Sequence, residues 1–208
     1  MAIFPNRPFD HAADYADAYF ARLAEAAASV DRAALDRAAA LITAAAQEGR
    51  RIYSCGNGGS AAIANHLVCD CLKGIRNEST LRPEVVSLST TIELITAIGN
   101  DLGYDQIFSY QLESLGRPGD VLMAISSSGN SPNILAAIQA ARAIGMTVIA
   151  MTGFDGGAAA RMADVSLHVR AENYGLVEDV HQALMHLLAQ FIRQQHLADP
   201  STIGRIKF

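Results

Sequence analysis

Apolar positions recur every three or four residues from about Phe9 to Gln47, in an Ala-rich stretch interrupted at Ser29 and Val30 before Asp31. That spacing predicts two amphipathic helices folded as a hairpin, with Ser29 or Asp31 capping the second and Glu48-Gly49 closing it. From Arg51 the pattern changes to short apolar runs alternating with amphipathic stretches: RIYSC before a helix to Leu72, EVVSLS before TIELITAIG, DVLMAISS before SPNILAAIQAARAIG, TVIAMTG before GAAARMA, and VSLHV before VEDVHQALMHLLAQFI. Strand-length runs separated by helices predict an α/β chain. Right-handed crossovers make it a three-layer, doubly wound sandwich on a five-stranded parallel sheet with an N-terminal helical hairpin.

The expected organisation is one domain over 1–208, with packing helices at 1–48, the α/β core at 50–195 and a tail at 196–208. The hairpin carries more apolar surface than one small sheet face needs, which predicts packing against another copy of the chain. Arg76 to Pro83 reads as a polar loop, a lid or a subunit contact. Asp199 to Phe208 reads as a tail ordered only if a neighbour holds it.

Composition narrows the partners. The 208 residues are 50% hydrophobic, enough for one sizeable core, and the net charge of −5 with 16 Lys+Arg shows no basic run. Nucleic acid and anionic membranes are therefore not expected, and small molecules are. Cys55, Cys69 and Cys71 cannot all pair, and C-x-C on a helix points its thiols to different faces, which suits reduced, inert cysteines better than a zinc-thiolate site. The N-terminal stretch has no basic region followed by an apolar one and no window resembles a membrane span, so a soluble cytoplasmic protein is expected.

In a doubly wound sheet, ligands bind beyond the C-terminal strand ends, which here read SCGNGGS, SLSTT, ISSSGNS and MTGFDGG. The turn GNGGS at the start of a helix offers free backbone N–H groups to an anion. ISSSGNS, followed by Pro132 at a first helical position with Ser131 as N-cap, adds hydroxyls and amides without a charged side chain. Together they read as a phosphate cradle. No Gly-Lys-Ser/Thr follows, so this is not a Walker loop; Gly56 to Ala61 fits a loose dinucleotide spacing, but EVVSLS ends without the acidic residue a ribose needs. His66 and Asp70, four apart, share a helix face, an acid/base or metal-binding pair beside the first of these turns.

GNGGS, GNDxGxxxxF (Gly99 to Phe108), GDVLxxISxSGNS and TG-x-DGG (Thr152 to Gly157), in order within Arg51 to Ile192, resemble the sugar isomerase domains of the phosphoheptose isomerase family. The resemblance implies a flavodoxin-like sandwich, a homotetramer, zinc in many members, and conversion of sedoheptulose 7-phosphate to D-glycero-D-manno-heptose 7-phosphate. It places phosphate and sugar contacts on Asn57, Gly58, Gly59, Ser60, Asn100, Asp101, Ser126, Ser127, Ser128 and Ser131. The family's metal and catalytic positions fall on His66, Asp70, Glu178 and His186, where the histidines match while Asp70 and Glu178 replace a Glu and a Gln.

Glu178 and His186 are eight apart on the last helix, about 80° off in projection, so both can reach one ion. Two imidazoles and two carboxylates suit zinc or another borderline divalent ion. His181, next to Gln182, is an alternative ligand; His11, His168 and His196 lack comparable context. Asp101 reads either as a turn-former or as a sugar-hydroxyl acceptor, and Asp155 as turn chemistry. The expected chemistry is aldose–ketose isomerisation through an enediolate, with Asp70 or Glu178 taking the carbon-bound proton and His186 the oxygen proton. A different sugar phosphate, a non-catalytic scaffold that binds the replication initiator, and a phosphosugar sensor are the competing readings.

Overall fold

The computed structural model describes residues 3–207. The hairpin is present as α1 (Ala12–Ala28) and α2 (Arg32–Glu48). Asp31 caps α2 by accepting from Ala33 N–H, and Gly49 ends it in the left-handed conformation. The core then runs β1 (Arg51–Gly56), α3 (Gly59–Cys69), β2 (Glu84–Ser87), α4 (Ile92–Asp101), α5 (Ser109–Leu115), β3 (Val121–Ser126), α6 (Pro132–Ile144), β4 (Thr147–Thr152), α7 (Gly157–Met162), β5 (Val165–His168) and α8 (Tyr174–Gln195).

The five strands pair in parallel in the order β2-β1-β3-β4-β5. The winding reverses between β1 and β3, so the turns that leave those two strands open into one crevice. Strand residues alternate between two cores. Val121, Met123 and Ile125 face α2, α3 and α8, while Leu122 and Ala124 face the layer built by α4 to α7. One helix of that layer, α5, was not read from the sequence: it is short and follows an irregular turn, and its Leu112 is fully buried.

Three expectations are corrected. The first helix of the core does not continue as α-helix to Leu72; it ends at Cys69, and the backbone widens into a π-helical turn over Asp70–Ile75, with Arg76 N–H reaching Cys71 O five residues back. Such turns change the direction of the side chains that follow. The tail and the loop 76–83 are held by the chain itself. Arg193 donates to Asn77 O, Glu78 Oε2 and Lys207 O at 2.9, 3.0 and 3.1 Å, and Ser79 bridges Leu197; Phe208, the last residue of that tail, lies outside the described residues. Asn100 and Asp101 form the last turn of α4 instead of a loop, with Asn100 Nδ2 donating to Asp101 Oδ1 at 2.7 Å.

Candidate active site

The two turns at the switch point face each other across a cavity of about 110 Å³ lined by Asn57, Ser60, Ser126, Ser127, Ser128, Ser131, Tyr174 and Glu178. Among the described residues no Lys or Arg lines it, so an anion there is met by hydroxyls and by the N–H groups that open α3, which have no partner within their own helix. Ser126 Oγ accepts from Gly129 N–H at 3.2 Å and lies 3.4 Å from Ser131 Oγ. Ser127 is 5% exposed, and its hydroxyl has no hydrogen-bond partner among the described residues. A buried hydroxyl left unpaired is costly, and at this place a ligand oxygen would satisfy it. The loop is held by a close approach at Gly129, which has φ of +64°; any Cβ there would strike the Gly156 carbonyl.

Asn57 lines the cavity and is also bonded within the protein. Its carboxamide exchanges two bonds with Asn133, at 2.8 and 2.9 Å, and accepts from Tyr104 OH at 3.2 Å. It braces the turn, and Asn133, which sequence reasoning missed, is its partner. Asn100 and Asp101 do not line this cavity.

A second set of groups lies farther along the same pair of helices. His66 Nε2 is 3.2 Å from Asp70 Oδ1 and 3.1 Å from His186 Nε2, and His186 Nε2 is 3.9 Å from Asp70 Oδ2. Gln182 Nε2 sits 3.1 Å from His186 Nε2. Sequence reasoning gave Gln182 no role, although its i,i+4 spacing to His186 was a usable signal. Burial raises the Asp70 carboxyl above its ordinary range, with the two imidazoles pulling it back down. Asp70 Oδ2 is buried without a hydrogen-bond partner.

The donor set fits a divalent cation. One atom each from His66, Asp70 and His186 can be chosen so that all lie within 4.8 Å of one another. Three lone-pair donors crowded together with an orphaned carboxylate oxygen need a cation or protons to offset their mutual repulsion, and two nitrogens with one oxygen suit zinc. Two expected ligands fall outside. Glu178 joins the serine cavity, where its carboxylate covers Gly59 so closely that a Cβ at that glycine would collide with it; burial, then the charge of Asp179, raises its pKa. His181 is fully buried, with Nε2 3.2 Å from Thr152 O, and faces the sheet instead of the cluster.

The remaining candidates are structural. Asp155 Oδ1 accepts from Gly157 N–H at 3.0 Å, as turn chemistry requires. All three cysteines are free thiols, and burial pushes those of Cys55 and Cys71 up to about 12.

Residues 14–153 match the SIS domain family. The chain is 45% identical over 142 residues to the phosphoheptose isomerase of Nitratidesulfovibrio vulgaris, a match that covers 68% of each protein. Among solved structures, a phosphoheptose isomerase from Neisseria gonorrhoeae aligns with a TM-score of 0.80 at 38% identity, covering 88% of this chain and 98% of that one. One from Francisella tularensis gives 0.82 at 33%, covering 88% and 99%.

Proposed function

The chain belongs to the SIS domain family, among the phosphoheptose isomerases, and we propose that it interconverts sedoheptulose 7-phosphate and D-glycero-D-manno-heptose 7-phosphate. The observation that carries the reading is the placing of two sites along one pair of helices. Ser60 and Glu178 belong to the uncharged anion cavity, while Asp70 and His186, farther down α3 and α8, belong to the cluster. At 1.5 Å per residue, Glu178 and His186 are about 12 Å apart along α8. An extended seven-carbon chain with its phosphoester, at ~1.5 Å per bond, covers a distance of that order; a three-carbon one does not.

With the phosphate among the serines, the carbonyl end reaches the cluster. Asp70 Oδ1 is turned to His66, which leaves Oδ2 to take the proton from the carbon beside the carbonyl and return it to the neighbouring carbon. His186 carries the proton between the two substrate oxygens, oriented by Gln182. Glu178 accepts from sugar hydroxyls next to the phosphate. A divalent ion, zinc by the nature of the donors, would be held by His66, Asp70 and His186 and would supply Lewis-acid polarisation of the carbonyl.

Two further parts of the reading concern setting. Leu187 and Phe191, 49% and 42% exposed on α8, flank an apolar groove against α2, which supports assembly of identical subunits, a tetramer by family likeness. The free thiols suit a reducing compartment, the cytoplasm. No helix among the described residues is long and apolar enough to cross a membrane.

The test is solvent exchange. In deuterated water, sedoheptulose 7-phosphate should gain deuterium at carbon and form the aldose. A purified, metal-loaded protein that binds the sugar and exchanges nothing would refute the assignment and favour a sensor.

A further inference from the structure

Phe154 has φ of +48°, a left-handed conformation that is strained for a bulky residue and that glycine adopts freely. The turn around it is fully determined by other bonds. Phe154 N–H donates to Ala171 O at 3.0 Å, Gly156 N–H to Gly153 O at 2.8 Å, and His168 Nε2 meets Phe154 O at 3.0 Å. Each uses the backbone of residue 154 or its neighbours, so a glycine would satisfy the turn as well and without strain. What a glycine would not supply is the ring. That ring is half-buried and meets the ring of Tyr174 edge-on, with centroids 4.9 Å apart and planes at 89°.

Tyr174 opens α8 and lines the serine cavity one turn before Glu178. Among the described residues its side chain is the one aromatic surface in a lining otherwise made chiefly of hydroxyls, an amide and a carboxylate. A phosphate group has no use for such a surface. The C–H face of the carbons esterified to it does, because sugar C–H groups pack favourably on an aromatic face. The residue is 61% exposed, so without a neighbour its χ1 would be free to carry the ring away from the cavity mouth.

We propose that Tyr174 is a specificity-determining wall for the phosphate-bearing end of the sugar, and that Phe154 is a positioning residue whose strained backbone holds its ring against Tyr174. The inference rests on the reading of the serine cavity as the phosphate site. Tyr174 contacts the last two carbons of the chain and contributes nothing to binding of phosphate alone.

The experiment compares Tyr174→Ala, Phe154→Gly and Phe154→Tyr with the unaltered protein. Measured for each are KM and kcat for sedoheptulose 7-phosphate, the inhibition constant of inorganic phosphate, and the melting temperature. Tyr174→Ala should raise KM about 3- to 10-fold, the range an aromatic contact of this kind supports, with kcat and phosphate inhibition within about 2-fold. Phe154→Gly should raise KM in the same direction while the melting temperature is kept or rises, since strain is relieved. Phe154→Tyr keeps an aromatic edge and should retain the original KM. Unchanged KM in both Tyr174→Ala and Phe154→Gly overturns the proposal, as does a Phe154→Gly protein whose only defect is a lower melting temperature. Failure of the underlying phosphate reading looks different: inorganic phosphate would not inhibit the unaltered protein, and Ser127→Ala would leave KM unchanged.

Discussion

His66 Nε2 lies 3.1 Å from His186 Nε2, although 120 positions separate the two residues in the chain, and the rings meet edge-on at 76°. At that distance there is room for one hydrogen between the two nitrogens, so at most one of them donates to the other, unless both lone pairs turn to a shared cation. Asp70 completes the arrangement, with Oδ1 3.2 Å from His66 Nε2 and Oδ2 3.9 Å from His186 Nε2 without a hydrogen bond.

Zinc should therefore bind to the folded chain and stabilise it. At a free concentration 100 times the dissociation constant the gain is about 2.7 kcal/mol, which for a chain of this size raises the melting temperature by roughly 5–10 °C. Calorimetry with and without a chelator, on the unaltered protein and on His66→Ala, measures it. Equal shifts in both proteins would place the ion elsewhere.

Asp70→Asn keeps the shape of the side chain and removes the base. The exchange rate at carbon should fall by about 100-fold or more, the usual contribution of a positioned acid or base, while inorganic phosphate continues to compete with substrate at the same concentration. An unchanged exchange rate would overturn the assignment of Asp70 as the base.

His181 gives the fold a pH dependence. Burial lowers its pKa from 6.5 to about 4, with the nearby His168 acting in the same direction and the Thr152 carbonyl against it. Between those two values the unfolded chain binds a proton that the folded chain refuses, so stability is complete above about pH 6.5 and declines as the pH falls toward 4. The loss is of the order of 3 kcal/mol at most. Urea midpoints from pH 7 to 4.5 should fall more steeply for the unaltered protein than for His181→Gln, and parallel curves would exclude the residue.

The apolar groove between α2 and α8 should be a subunit contact. Phe191→Asp places a charge where an exposed ring now flanks it and should shift the sedimentation profile to smaller species at micromolar concentration, with helical content retained. An unaltered protein that sediments as a monomer would remove this role.

The fold and the anion cavity were legible in the sequence because their signals are local. A strand announces itself by its apolar run, a helix start by Ser131-Pro132, and a phosphate turn by glycines and serines, each within a few residues. His66, Asp70 and His186 were nameable by family likeness, but their meeting was not, since it depends on how far α3 and α8 slide along each other when both pack on one sheet face. That packing also decided what one-dimensional spacing left open. Glu178, in helical reach of His186, is turned to the serines over a glycine that leaves room for it. His181, on the same helix, is turned into the core, and Gln182 takes the place beside His186. Asn57 found Asn133 in the first turn of α6, and the π-helical turn at Asp70 arose where no periodicity marks it. Sequence by itself determined the strands, the turns and the kinds of groups available; tertiary packing chose which of them face the same few cubic ångströms, because side-chain direction on a helix is settled by the neighbour it packs against.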